Sequence, residues 1–313
     1  MPGSPSPDRP FRLGTRRSPL AVAQAKETRN RLCAAHGWPE EAVKLVPVTA
    51  SGDKIQDRPL AEIGGKALWT RELDRCLIDG EIDAAVHSLK DVETARPDAI
   101  AIAAVLPRAD KADVLLGALT IAALPQGAVV GTSAPRRAAQ LRHLRPDCSA
   151  VLFRGNVATR MAKLAAGEVQ ATFLAAAGLI RLGEQGAGTR LEPEKWLPAP
   201  SQAAIGIECR ADDGATREWL AGIDHAESHS EVLAERALLA ALGGSCHSAV
   251  ACLSRWDGDR LHLTAAIFSP DGAERIVDDA RFAPDDVAGP QALAGRLLDE
   301  APAAVRATFL PPE

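Results

Sequence analysis

The sequence predicts an α/β protein with mainly parallel sheets, followed by a smaller C-terminal α+β domain. Two observations carry this. From residue 11 to about 176, short apolar runs alternate with helix-patterned segments, the order that builds parallel sheets. After about residue 225 the alternation stops, and a helix, a hairpin and a closing helix follow. A chain of 313 residues suits two or three domains of ordinary size.

Residues 1–10 are Pro- and Ser-rich and read as a disordered tail. Phe11 to Thr15 is a short strand. Ser18 is a helix N-cap and Pro19 fits the first helical position, so a helix runs through Ala21, Gln24 and Ala25 to about His36. Val43 to Val48 is a buried strand. Residues 51–66 are long, polar and Gly-containing, the kind of loop that covers an active site. A helix then ends at Gly80, a C-cap residue. Ile82–Val86 and Ala99–Leu106 are strands, and Val114–Leu116 and Val129–Val130 are further short apolar runs. Residues 133–145 are helical, Val151–Phe153 a strand, Val157–Ala166 a helix and Thr172–Ala176 a strand. Leu191–Pro200 holds three prolines and reads as a connector. Glu231–Leu242 is a helix. Leu261–Phe268 and Arg275–Phe282 form a hairpin around Pro270-Asp271-Gly272, and Gln291–Phe309 is the closing helix.

The formal net charge is −5, which excludes nucleic-acid coating by bulk charge. No run approaches the length of a membrane span. Six scattered cysteines with no C-x-x-C pair argue against a zinc ribbon or redox motif. With no apolar leader at the start, the cysteines read as reduced and the compartment as cytoplasmic. The cations are lopsided, with eight Lys against 28 Arg. GC-rich coding explains that bias as a whole; forked binding of carboxylates is the sharper reading for some positions.

Four constellations bear chemistry. Gly14-Thr15-Arg16-Arg17-Ser18-Pro19 carries a strand straight into a capped helix, where free N–H groups and the macrodipole attract anions. Taken alone, an ordinary N-cap with surface arginines explains it. Val129 to Arg137 repeats the design, and six Arg stand between residues 136 and 160 with Asp147 the only acid. That cluster reads as an anion-binding cleft, and the scarcity of aromatics argues against stacked bases. His87-Ser88-Leu89-Lys90-Asp91 follows a strand, where α/β proteins place functional loops. It reads equally as an exposed turn or as a site in which a fixed carboxylate steadies a cation or moves a proton. Leu242 to His247 places Cys246 on a Gly-rich loop. By itself this favours a structural cysteine over a nucleophile or attachment point.

Taken together, these pieces resemble one family, hydroxymethylbilane synthase, also called porphobilinogen deaminase. The segments are TRRSPLA (15–21), GGKALW (64–69), AVHSLKDV (85–92), VGTSAPRR (130–137), RGNVATR (154–160), AAAGLIRLG (175–183), IGIECR (205–210) and AERALLAALGGSC (234–246). They occur in the family's order and span nearly the whole chain. The resemblance implies two lobes like those of periplasmic binding proteins and a small third domain. Residues 11–107 with 203–222 would form the first, catalytic lobe, 111–198 the second, anion-binding lobe, and 226–313 the third.

It also implies a dipyrromethane cofactor joined by a thioether to Cys246. Asp91 would steady the cation formed when porphobilinogen loses ammonia and would carry the proton. Ser88, Lys90, Ser133, Arg136 and Arg137 would hold cofactor carboxylates. Arg16, Ser18, Gln24, Arg154 and Arg160 would hold the incoming or terminal ring of the growing oligopyrrole chain, with Gln202 contributing hinge-side contacts. Four condensations and a hydrolysis would release hydroxymethylbilane. The implied protein is a monomer with no metal, nucleic acid or membrane partner. Departures stand at His247-Ser248-Ala249-Val250, which lacks the usual Pro, at Ser201 and Ala203 where Gly is usual, and at Ala134 where Ser is common. Two rivals, a non-enzymatic anion-binding protein and a cysteine hydrolase, leave Cys246 and the Arg cluster respectively without a role.

Overall fold

The structure, a computed structural model, describes residues 4–49 and 70–309. The expected loop at 51–66 and the GGKALW segment lie outside the described residues. The chain divides into two compact units, residues 1–109 with 204–229, and residues 110–203 with 230–313.

The first unit is built on a sheet of five strands: β1 (Phe11–Arg16), β2 (Val43–Val48), β3 (Ala84–Ser88), β4 (Ile100–Val105) and the late strand β10 (Ile205–Arg210), in the order β2-β1-β3-β10-β4. β1 runs parallel to β2 and β3, while β10 is antiparallel to β3 and to β4. Four strands therefore point one way and one is reversed. The core beneath the sheet gathers Phe11, Leu13, Leu32, Val43, Val86, Ile207 and Leu220.

The helix Pro19–His36 begins as its sequence dictates. Ser18 is extended and its side chain accepts from the Ala21 N–H, Pro19 occupies the first turn, and Gly37 closes the end in the left-handed region at φ 67°. Residues 4–10, expected as part of a disordered tail, hold a turn closed by reciprocal backbone bonds between Ser6 and Arg9.

The second unit opens on a sheet of the same plan: β5 (Asp113–Leu116), β6 (Val129–Gly131), β7 (Ser149–Val151), β8 (Ala171–Ala175) and β9 (Thr189–Arg190), in the order β7-β6-β8-β5-β9. β6 is parallel to β7 and β8, and β5 is reversed against β8 and β9. Phe173 and Trp196 stack at 4.8 Å in its core beside Leu115, Val130 and Leu141. The rest of the unit is an antiparallel meander, β11 (Val250–Asp257), β12 (Arg260–Phe268) and β13 (Arg275–Phe282). Helices Ala226–Ala241 and Ala288–Glu300 pack Leu238, Leu293 and Leu297 against Leu263 and Ile267.

Several elements differ from expectation. β3 sits two residues later than the apolar run suggested, and β7 two residues earlier. β10 and β11 were not expected as strands, and neither were the helices Ala176–Arg181 and Gly214–Ala221. The closing helix is two helices, Ala288–Glu300 and Ala303–Arg306, because Ala301 is extended at ψ 135° ahead of Pro302, which cannot continue an α-helix. Among the described residues no helix is long and apolar enough to cross a membrane, and no cluster of His, Cys, Asp and Glu could hold a metal ion.

Candidate functional site

In the first unit the carboxyl ends of the parallel neighbours β1 and β3 open at one edge of the sheet, where α/β folds place ligands. A pocket there is lined by Arg16, Ser18, Gln24, Thr70, His87, Ser88 and Asp91, with Leu20, Ala21, Val86 and Val92 as its apolar wall. Arg16 ends β1 and Ser18 caps the following helix. Ser88 ends β3, and a 3₁₀ turn over Leu89–Asp91 swings Asp91 back to the pocket. That turn packs close to β10: a Cβ on Gly206 would stand 2.4 Å from Leu89 Cδ2, so a larger residue there would have to displace the buried Leu89 side chain. Gln24, almost fully buried, donates from Nε2 to Ser88 Oγ at 2.8 Å, and that hydroxyl donates back to Gln24 Oε1 at 3.2 Å. Lys90 is half-buried on the same turn and does not line the pocket.

Beneath the pocket lies a buried ionic network that the sequence reading missed. Glu208 on β10 is fully buried and accepts from Arg96 Nε and Nη2 at 2.9 Å each. His87 Nε2 lies 3.2 Å from Glu208 Oε2. Arg96 also donates to Asp74 and to Glu93, and Thr70 Oγ1 donates to Glu93 at 2.7 Å. Burial drives the Glu208 pKa upward, but His87 and Arg96 outweigh it and hold it at about 2. Asp74 goes the other way: burial raises its pKa, and Arg96 only partly opposes this. One signal was available in the sequence. Glu208 is a lone acid in the apolar run Ile205-Gly206-Ile207, and a charge there must be paired.

In the second unit the structure gathers Arg136, Arg137 and Gln202 on a single carboxylate, that of Asp113. Asp113 is fully buried and accepts from Arg136 Nη2 (2.7 Å), Arg137 Nη2 (2.6 Å) and Nε (3.1 Å), Trp196 Nε1 (2.9 Å) and Gln202 Nε2 (2.9 Å). Burial opposes ionisation, but the two guanidiniums hold the Asp113 pKa far below the carboxylate range. The arginines expected to line an anion-binding cleft thus have a carboxylate of the protein itself between them. Arg136 and Arg137 are 4% and 6% exposed, and their Nη1 atoms are spent on the Leu197 and Phe173 carbonyls. Every nitrogen of Arg137 is engaged, whereas Arg136 Nε is buried with no hydrogen-bond partner among the described residues.

Ser133 and Arg160 meet at 3.3 Å, and Arg160 Nε is held by the Gly155 carbonyl. Asn156 caps the helix carrying Arg160 by accepting from the Thr159 N–H. Arg154 is buried in the loop before that helix.

Cys246 is the only exposed cysteine of the six. Its loop leaves helix Ala226–Ala241 through Gly243 in the left-handed region, and is tied by Ser245 and Ser248, each donating its backbone N–H to the other. The residue-level expectation of a buried cysteine therefore does not hold at this position.

A family model described as "Porphobilinogen deaminase, dipyromethane cofactor binding domain" matches residues 11–218, and "Porphobilinogen deaminase, C-terminal domain" matches residues 229–301. The chain is 57% identical over 310 residues to the porphobilinogen deaminase of Sphingopyxis alaskensis, covering 97% of this chain and 98% of that protein. It is 49% identical over 308 residues to that of Paracoccus denitrificans, at 97% and 98% coverage. Among solved structures it is similar to the periplasmic VFT2 domain of BvgS from Bordetella pertussis (TM-score 0.40, 14% identity, 71% of this chain and 92% of that one). A His/Glu/Gln/Arg/opine family-binding protein from Silicibacter pomeroyi matches with a TM-score of 0.35, 17% identity, and 73% and 94% coverage.

Proposed function

The chain belongs to the porphobilinogen deaminase family and is a hydroxymethylbilane synthase of tetrapyrrole biosynthesis, and from that premise we propose that Asp91 is its acid–base residue and Cys246 its point of cofactor attachment. The observation that carries the proposal is the pocket at the ends of β1 and β3. It unites Asp91 with Arg16, Ser18, Gln24 and Ser88, residues far apart in sequence.

The family's cofactor is dipyrromethane, and this chain's residues fit it. The group needs an accessible thiol and donors for its carboxylates. Cys246 is exposed, and Arg136 keeps a buried N–H without a partner among the described residues. When bound, the cofactor supplies the terminal pyrrole carbon on which the chain is extended. Cys246 Sγ holds it, as a thiolate is a far better nucleophile than a neutral hydroxyl. Arg136 would hold one of the cofactor's carboxylates. Arg137, with all its nitrogens engaged, contributes charge and holds the cluster's shape. Lys90 and Ser133 assist.

Arg16 and Ser18, at a helix start whose N–H groups and dipole favour anions, receive the carboxylates of porphobilinogen. Gln24 fixes Ser88 beside them. The Asp91 carboxylate, which lines the same pocket, would offset the positive charge that grows on the aminomethyl carbon as ammonia leaves and would accept the proton released at condensation. Arg154 and Arg160 take the carboxylates of the extending chain, and Gln202 braces the Asp113 cluster. The same reading has three domains, as the sequence analysis drew them, and a cytoplasmic monomer.

Intact-mass and peptide mapping test the attachment. We expect an added mass of two porphobilinogen units less two ammonia, on the peptide containing Cys246. Cys246→Ser should lose most of it, and Cys33→Ser should keep it. A normal adduct in Cys246→Ser would overturn the assignment.

A further inference from the structure

We propose that Asp113 is a positioning residue for cofactor capture: it locks Arg136 and Arg137 into one buried fork and leaves a single positive charge in excess for a ligand carboxylate. This rests on the reading of Arg136 as a cofactor ligand given above. Asp113 begins β5 and has no exposed surface. Its two oxygens receive five N–H donors, three of them from the two guanidiniums. One carboxylate between two guanidiniums leaves these direct contacts with one positive charge in excess.

A buried cation without a counter-charge is costly, so such sites are completed by an anion or by deprotonation. Arg136 carries the strain: burial and the neighbouring Arg137 lower its pKa, against the pull of Asp113. Its open donor, Nε, is also buried. A carboxylate supplied by the cofactor balances the charge and takes that donor in one step. Asp113 fixes which nitrogens remain for it. Asp113 engages Nη2 of Arg136 and the Leu197 carbonyl engages Nη1, so Nε is the one nitrogen of Arg136 without a partner among the described residues. Trp196 and Gln202 hold the carboxylate from its other sides, and Gln202 Nε2 also donates to the Lys111 carbonyl, tying the fork to the start of β5.

The test uses the full chain as Asp113→Asn and Asp113→Glu, purified without cofactor and loaded with porphobilinogen. Intact mass follows the adduct with time, and melting temperature is read before and after loading. A merely structural residue would lower both melting temperatures equally and leave the loading rate alone. We expect Asp113→Asn to load roughly tenfold to a hundredfold more slowly, because a misplacement of about 1 Å can cost on the order of a hundredfold. We also expect its gain in melting temperature on loading to shrink. Asp113→Glu keeps the charge but displaces it by a methylene, and should fall between Asn and wild type. A loading rate and a loading gain in Asp113→Asn equal to wild type would overturn the proposal. If Asp113→Asn does not fold, Asp113→Glu loading at the wild-type rate would overturn it equally. Wild-type chain that takes up no adduct would instead overturn the cofactor reading itself.

Discussion

Gln24 and Ser88 are locked to each other in both directions, amide to hydroxyl at 2.8 Å and hydroxyl to amide oxygen at 3.2 Å. The pair joins the first helix to the end of β3, one residue from the Leu89–Asp91 turn. A helix residue distant in sequence thus sets the strand end from which Asp91 hangs.

Gln24→Ala should break this link. Loss of a buried hydrogen-bonded partner costs about 1–3 kcal/mol. We expect a lower melting temperature and a lower kcat/KM, with the adduct on Cys246 retained. Unchanged kcat/KM would show that Ser88 needs no such support.

The network under the pocket makes an acid-stability expectation. Glu208 has a folded pKa of about 2 against an ordinary 4.5, so its contribution is complete above about 4.5 and is lost as pH falls toward about 2. Asp74 has the opposite sign: its raised pKa favours the protonated form, so its contribution fades as pH rises. Glu208→Gln leaves Arg96 short of its best partner and should cost about 3–5 kcal/mol. Its stability curve below pH 4.5 should be flatter than that of wild type. Denaturant melts across this range decide it, and an unchanged slope would remove Glu208 as the titrating group.

Ser201 and Ala203 sit at φ 60° and 70°, left-handed values that suit glycine. Ser201 is pinned there by donating its N–H to Glu235 at 2.6 Å. Ala203→Gly relieves about 1–2 kcal/mol of strain and returns about 0.4–1 kcal/mol through a freer unfolded chain. A small net gain in stability is expected from chemical denaturation. A clear loss would mean that the alanine methyl is needed by its neighbours.

Much of this was legible in advance, and the gaps have physical causes. Ser18-Pro19 announced the first helix because caps are local chemistry, and the Leu89–Asp91 turn was visible as a polar cluster after an apolar run. β10 was missed because it pairs with β3 and β4, more than a hundred residues earlier, and its alternation is hidden by burial on both faces. The partner of Arg136 and Arg137 was missed for a different reason. Asp113 opens an apolar strand and resembles a strand edge until the fold brings two arginines to it. Residue types pointed to carboxylate partners for the arginines, but not to a carboxylate of the protein itself.

The arginines should separate by role. Arg136→Leu removes the open donor and should yield mainly protein without adduct. Arg160, tied to Ser133 and the Gly155 carbonyl, is assigned to the extending chain, so Arg160→Leu should keep the adduct but stall elongation. Each lost charged contact is worth about 1.5–3 kcal/mol. Mass spectra of stalled intermediates check this, and benign behaviour of both variants would remove carboxylate binding as their role.

The central claim is that Asp91 does the chemistry, and single-turnover ammonia release by cofactor-loaded Asp91→Asn tests it most directly. The substitution keeps the shape and removes the charge, while Arg16 and Ser18 still bind substrate. Losing about 4 kcal/mol of barrier stabilisation corresponds to a roughly thousandfold slower release. Asp91→Glu, with the charge moved by a methylene, should retain part of the rate. We expect slow release with the adduct intact. A rate within about tenfold of wild type would contradict the account and leave Asp91 a residue of the turn.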